Sequence, residues 1–412
     1  MIPRHITPKI HLALKHRPIV YIQGGRQTGK STLARNLLSR NYKAEYISLD
    51  DLALLAVVKN DPKGFLNSYP GNLIIDEVQM APDLLIAIKH LVDQDRKPGR
   101  FVLTGSSNLF TLPKISESLA GRVDIYRLLP FAQSEIDGKS FHLIDELFRG
   151  RTKTLFDIKG KGKQNILKRI IRGGFPEIVL NRNTSLTARW FNSYVTTLLQ
   201  RDVRDIASID NLEVFPQLLG ILASRSGGLT NFADISRETG VPQTTLKRYI
   251  SILRMAFIVE LVPSWSNKME QRFVKAPKIF FNDSGLLSYL CGYTEKRFDM
   301  DNRALGMAME NFVFAELVKL QSFSDNFFTV YHYRTHLDEE IDFILERNDG
   351  SIIAVEVKAS ETIKPDMVKH IKSFRSKYPD KFLSGVVFYS GKQVIPLGDK
   401  MYAVPVDALW GG

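Results

Sequence analysis

The sequence predicts a multidomain α/β protein: a parallel-sheet domain first, a helical and helix-turn-helix middle, and a second α/β unit at the end. Three observations carry this. From residue 18 to about 137, short apolar runs such as "PIVYIQG", "LIIDE" and "RFVLTG" alternate with helical stretches, as strands do when crossover helices join them in a parallel sheet. After "LLPFAQSEI" the pattern lengthens into amphipathic segments, and from about residue 300 a helix precedes the strand-like runs "TVYHYRTH", "EEIDFILER" and "SIIAVEVKA". A chain of 412 residues has room for roughly two to four domains. The boundaries expected are 1–137, 138–210, 211–265, 266–299 and 300–412, the fourth stretch serving as a linker.

Composition narrows the function classes. A net charge of +12 and a pI near 9.5 favour an anionic partner. Part of the excess lies between Arg151 and Asp210, where twelve lysines and arginines stand against five acidic residues. That density suits a phosphate backbone or a solvated helical surface, and composition alone leaves both open. No apolar run approaches the roughly 20 residues that span a bilayer, so no membrane association is expected. The N-terminus lacks a secretory pattern, which makes the cytoplasm the expected location. The single cysteine, Cys291, excludes an internal disulfide framework and a multi-cysteine zinc site.

The first domain carries the clearest chemistry. "GGRQTGKST" matches G-x-x-x-x-G-K-S, with Gly24, Gly25, Arg26, Gln27, Thr28, Gly29, Lys30, Ser31 and Thr32 between an apolar strand and a helix. Glycines let backbone N–H groups turn inward onto a phosphate, and the following helix presents its positive end. Lys30 would reach the β- and γ-phosphates, and Ser31 would hold Mg²⁺. In "NLIIDEVQ", Asp76 would hold the same Mg²⁺ through water while Glu77 orients the attacking water, which implies hydrolysis as well as binding. "RFVLTGSSN" would end beside the γ-phosphate, with Ser106 or Thr104 as sensor. Arg122 in "SLAGRVDIY" could supply positive charge to the transition state in its own subunit or in a neighbouring one of a homo-oligomer. The cofactors expected are ATP and Mg²⁺.

"TARWFNSYVTTLLQRDVRDIA" has apolar positions at helical spacing without Gly or Pro, and predicts one long helix. "GGFPE" and "NDSGLL" read as a turn and a helix cap with Asp283 or Ser284 as N-cap. Arg201 or Arg204 in "RDVRDI" could sense nucleotide, or form surface ion pairs. The stretch from "LTNFADISRETG" through "VPQTTLKRYISILRM" predicts a helix-turn-helix, with Phe232, Ile235, Val241, Leu246, Ile250 and Leu253 inward and "FIVELVP" as a wing strand. Gln243, Thr245, Lys247 and Arg248 would then be exposed to a DNA major groove. The same fold serves equally as a protein-interaction module.

In the last unit, Glu356 and Lys358 point to one face of a strand, and Asp342 lies fourteen residues upstream across a turn at "NDG". Such a hairpin places Asp342 beside Glu356, where two carboxylates could share Mg²⁺ and Lys358 could position the water. Glu310 on the preceding helix is a fourth candidate, with Gly306 one turn earlier permitting close packing, and Glu316 is its competitor. This D-x(13)-E-x-K layout resembles the restriction-endonuclease-like, or PD-(D/E)xK, superfamily.

Taken with "SLAGRVDIYRLLPF", "RGGFPE", "YVTTLLQRDVRDI" and "KAPKIFFNDSGLLSYL", these motifs resemble a prokaryotic family of AAA-type P-loop ATPases. Its members pair the ATPase with a C-terminal domain of unknown function that has a nuclease-like core. The resemblance implies the additional-strand branch of P-loop proteins, ATP rather than GTP, and a catalytic glutamate that Glu77 matches. It leaves two readings: an ATPase that also cuts nucleic acid at Asp342 and Glu356, and an ATP-driven switch whose inactive nuclease-like domain only binds DNA or a protein partner.

Overall fold

The computed structural model describes residues 2–39, 42–106, 119, 121–140, 142–181, 183–203 and 213–411. Five strands build the first sheet: β1 (Ile19–Gln23), β2 (Glu45–Ser48), β3 (Leu73–Asp76), β4 (Phe101–Gly105) and β5 (Val123–Arg127). Their order is β2-β3-β4-β1-β5, all parallel. β4 therefore stands between the phosphate-loop strand and the acidic strand. The period of two sorts the side chains cleanly: Ile19 and Tyr21 enter the core on one face of the sheet, Val20 and Ile22 the core on the other.

A parallel sheet gathers the carboxyl ends of its strands at one edge, where ligands of such folds bind. The loop after β1, Asp76 and Glu77 after β3, Thr104 to Ser106 at the end of β4, and Arg127 at the end of β5 all lie at that edge.

The middle region differs from the expectation of one long helix. An α-helix runs over Thr187–Thr197 and continues as a wider π-helix over Leu198–Val203; Arg204 lies outside the described residues, as does the side chain of Arg201. Two helices, Phe232–Thr239 and Gln243–Met255, form the helix-turn-helix. Asn231 caps the first by accepting from the N–H groups of Ala233 and Asp234, and Gly240 ends it at φ +69°. Ile235, Val241, Leu246, Ile250 and Leu253 are buried as the pattern requires.

The stretch 266–299 is not a linker. Its β7 (Lys278–Phe281) pairs antiparallel with β6 (Val259–Val262), and the helices Ser284–Cys291 and Glu295–Met300 follow. The reason is visible in "KIFF": Ile279, Phe280 and Phe281 are each 1% exposed or less, and a run so apolar folds only by pairing and packing.

The helix Asn302–Phe323 leads into a mixed sheet of β8 (Phe328–Arg334), β9 (Glu340–Arg347), β10 (Ile352–Lys358), β11 (Phe382–Tyr389), β12 (Ile395–Gly398) and β13 (Met401–Pro405). β8, β9 and β10 form an antiparallel meander, while β10, β11 and β13 run parallel. Another helix, Lys369–Lys377, joins β10 to β11.

One apolar core runs from Val20 and Val102 of the first sheet through Leu246 and Phe280 to Phe312, Val355 and Val404 of the last. Smaller cores cover the outer faces of the two large sheets. Among the described residues, no helix is long and apolar enough to cross a membrane.

Candidate functional site

The loop from Gly24 to Lys30 is shaped by its glycines. A side chain at Gly24 would collide with the Leu128 carbonyl oxygen, and Gly29 stands at φ +91° as the helix Lys30–Asn36 begins. Lys30 is buried, and its ammonium donates to the Gly25 carbonyl oxygen at 3.1 Å. Thr28 donates to the same oxygen at 2.9 Å. Gly25 is buried, Arg26 and Ser31 are half-buried, and Gln27 and Thr32 are exposed. Gln27, itself at φ +60°, borders a cleft of about 520 Å³ walled by Glu177, Asn181, Trp190 and Tyr194. That volume lies in the range of small-molecule clefts.

Beside the loop, both oxygens of Asp76 are held by hydroxyls: Tyr46 donates at 2.6 Å and Thr104 donates to the other oxygen. Burial and then the Asp76 carboxylate push the Tyr46 phenol up to about 12, which keeps it a donor. Thr104 also accepts the Glu77 N–H at 3.2 Å. Glu77 sits in the left-handed region, φ +58°, a conformation that costs a non-glycine residue roughly 1–2 kcal/mol. Gln79, which the sequence reading did not single out, donates to the Glu77 carboxylate and to Ser106 Oγ at 2.9 Å. Ser106 and Thr104 thus occupy different places: Thr104 fixes Asp76, and Ser106 reaches Glu77 through Gln79. The donor set of hydroxyl, carboxylate and ammonium groups fits a Mg–nucleotide, with Ser31 and Asp76 as the residues that would hold the metal.

Arg122 is corrected by the sheet. It precedes β5 at the edge where β1 begins, since Val123 pairs with Ile19, and its Nε donates to Asp93 at 2.6 Å. A strand of about 16 Å separates it from the phosphate loop of its own chain. Arg127 stands at the other end of the same strand, opposite Gln23. It pairs with Glu260 of β6 at 2.9 Å and stacks on Phe257, 5.1 Å from the ring centroid.

This contact shows what the sequence hid: the helix-turn-helix sits on the phosphate loop. A Cβ at Gly25 would lie 3.5 Å from the Ala256 carbonyl oxygen and 3.7 Å from Phe257. Phe257 is held at φ +59° directly after the second helix. Pro176 of "GGFPE" lies 3.8 Å from the Cβ position of Gly29. The turn and the cap form a single joint. Asp283 accepts from Gly174 N–H at 2.7 Å and from Leu286 N–H at 2.9 Å, and burial raises its carboxyl. Glu316, the competitor on the C-terminal helix, belongs to this region: it pairs with Lys319 at 2.8 Å and accepts from Gln133 N–H at 2.8 Å.

On the helix-turn-helix, Gln243, Lys247 and Arg248 are exposed and Thr245 is half-buried. Lys247 lies over the Phe232 ring at 5.5 Å.

In the last domain Asp342 continues the register opposite Glu356, one step beyond the Val355–Phe343 pair. Asp342 accepts from Val357 N–H at 2.8 Å, and Lys358 pairs with Glu356 at 2.7 Å. Glu310 faces this group electrostatically, and burial with the Asp342 charge raises the Glu310 and Glu356 carboxyls above the usual carboxylate range. Gly306 has nothing within 4 Å of its Cβ position, so close packing there is not its role. A residue not foreseen, Lys278 of β7, pairs with Glu310 at 3.0 Å and Glu340 at 2.7 Å. The carboxylates are thus committed to lysines and backbone. Among the described residues, no group of three or more His, Cys, Asp or Glu side chains is placed to hold a metal ion.

The class of protein this defines is shared by sequence. Residues 16–137 match the family "AAA domain". Residues 163–297 and 305–409 match "Domain of unknown function (DUF8612)" and "Domain of unknown function (DUF4143)". The middle match spans the helix-turn-helix and the stretch after it as one unit. Among particular proteins, the chain is similar to the uncharacterized protein Rv2008c of Mycobacterium tuberculosis, 28% identical over 98% of this chain and 84% of that one. It is 23% identical to the uncharacterized protein MJ1544 of Methanocaldococcus jannaschii, over 98% and 90% of the two chains. Among solved structures, a point variant of Thermotoga maritima RuvB aligns at TM-score 0.33 and 19% identity over 72% of this chain and 93% of that one. AMPPCP-bound DnaA from Aquifex aeolicus aligns at 0.29 and 16% over 60% and 86%.

Proposed function

We propose that the protein is an ATP-binding and ATP-hydrolysing AAA-type switch whose nucleotide state is passed to a DNA-facing helix-turn-helix. The observation that carries this reading is the roof over the phosphate loop: Ala256 and Phe257 lie against Gly25, and Arg127 ties β5 to Glu260. Phosphates drawn into the loop would pull the Lys30 ammonium off the Gly25 carbonyl and change the surface on which Phe257 rests. Glu77 would orient the attacking water, with Gln79 holding its carboxylate toward Ser106. Mg²⁺ would supply charge neutralisation at the phosphates, held by Ser31 and Asp76. In a homo-oligomer Arg122 would serve a neighbouring subunit.

The C-terminal order of helix, three antiparallel strands, helix and parallel strand supports a restriction-endonuclease-like reading. Its committed carboxylates favour a domain that binds nucleic acid or a protein partner over one that cuts.

The experiment compares ATPase rate and duplex DNA affinity for wild type, Lys30→Ala, Glu77→Gln, Arg127→Ala and Lys247→Glu/Arg248→Glu. Lys30→Ala should lose ATP binding, and Glu77→Gln should bind ATP while its turnover falls ~10²-fold or more. DNA affinity should differ between ATP-loaded Glu77→Gln and the nucleotide-free protein, and Arg127→Ala should erase the difference. The paired charge reversal should weaken DNA binding ~10-fold or more and flatten its salt dependence. DNA affinity indifferent to nucleotide in every variant would sink the coupling.

A further inference from the structure

We propose that Lys278 is the resident cation of the C-terminal acidic cluster: the β6–β7 hairpin holds its ammonium against Glu310 and Glu340, where it keeps a divalent metal ion out. The cluster comprises four carboxylates, Glu310, Glu340, Asp342 and Glu356, approached by two ammonium groups. Lys358 belongs to the same strand as Glu356 and pairs with it at 2.7 Å. Lys278 comes from outside the domain. It is 3% exposed, with its Nζ 3.0 Å from Glu310 and 2.7 Å from Glu340.

Burying an ammonium without partners is costly, so the apolar strand "KIFF" would not carry a lysine inward unless anions awaited it. Here two do, and a third, Asp342, faces it electrostatically. A divalent ion needs several oxygen ligands within roughly 2.0–2.6 Å. Lys278 already engages one oxygen of Glu310, and a divalent charge beside the buried ammonium would be repelled.

A second element closes the same carboxylate from another side. Gly227, at φ +79°, stands where an added Cβ would lie 3.0 Å from the Glu310 carboxylate, and its N–H bonds to the Ile279 carbonyl oxygen at 2.8 Å. The turn after the helix Val214–Ser224 and the strand carrying Lys278 are therefore fastened to each other and jointly cover Glu310. The hairpin also has a second anchor. Glu260 pairs across from Phe280 and Val262 from Lys278, so the ribbon that seats Lys278 is the one that Arg127 grips beside the phosphate loop.

The test is Mn²⁺ binding to the nucleotide-free full-length chain, read by electron paramagnetic resonance and by melting in Mn²⁺ against EDTA. The proteins are wild type, Glu356→Gln, Lys278→Arg, Lys278→Met and Lys278→Met/Glu356→Gln. Wild type and Lys278→Arg should show no Mn²⁺ uptake beyond that of Glu356→Gln. Lys278→Met should take up one further Mn²⁺ per chain, at least tenfold tighter than wild type, and the double variant should lose it. If Lys278→Met is unfolded in EDTA, recovery of a cooperative melt in Mn²⁺ supports the proposal, and failure to fold in both overturns it. Wild-type uptake that depends on Glu356 and equals that of Lys278→Met also overturns it. None of these readouts involves ATP turnover, so the result stands apart from the switch proposed for the phosphate loop.

Discussion

His332 shows how a single residue reports its surroundings. Its ring is buried, Nε2 lies 3.2 Å from the Ala276 carbonyl oxygen, and Nδ1 has no partner among the described residues, so Nε2 carries the proton in the neutral form. Burial first, and the neighbouring Lys278 charge next, lower its pKa to about 4. A histidine held neutral in the fold and near 6.5 when unfolded contributes stability that is complete above pH ~6.5 and is lost as pH falls toward 4. The shift corresponds to something on the order of 3 kcal/mol. Melting temperatures from pH 8 to 4 should therefore fall less steeply for His332→Gln, which keeps a donor for Ala276 and does not titrate. Parallel curves would show that the ring does not govern acid stability. Nothing in "TVYHYRTH" marks this histidine, because the pattern fixes strand and face but not the lysine that β7 brings beside it.

At the scale of elements, the contacts that matter join pieces far apart in sequence. Asp283 was legible as a helix cap from "NDSGLL". That it also accepts from Gly174 depends on the turn at 173–174 being folded against it, which no local pattern encodes. Removing the carboxylate in Asp283→Ala would leave buried N–H groups of Gly174 and Leu286 unpaired, at about 2–5 kcal/mol for the pair. Urea unfolding should show that loss as a lower midpoint with little change in slope, and an unchanged midpoint would demote the joint to a passive contact. The helix-turn-helix makes the same point differently. Its inward set was readable at helical spacing, and all of it is buried except Phe232, which is half-buried, yet its seat on Gly25 depends on Phe257 taking a left-handed conformation.

For the whole molecule the decisive feature is the shared core. Val20, Ile22, Ile74 and Val102 of the first sheet contribute to the apolar body that also contains Leu246, Phe280 and Phe312. Cutting the chain at residue 137 would bare that face. Calorimetry of the full chain should accordingly show one dominant unfolding transition, and a fragment of residues 1–137 should lack a cooperative melt. Two resolved transitions, or a stable fragment, would restore the picture of separable domains. The sequence by itself determined the chemistry of short range: the phosphate loop, the paired acids after β3, the strand alternation, the helix-turn-helix, and the hairpin that sets Asp342 beside Glu356. Those follow from periodicity, turn residues and spacing, which act over a few residues. Only the tertiary structure decided that 266–299 holds a strand and three helices, that Arg122 lies at the end of β5 away from its own phosphate loop, that Gln79 holds Glu77, and that Lys278 enters the acidic cluster. Each of these depends on which distant surfaces bury one another, and a buried lysine or arginine finds its partner through the whole fold.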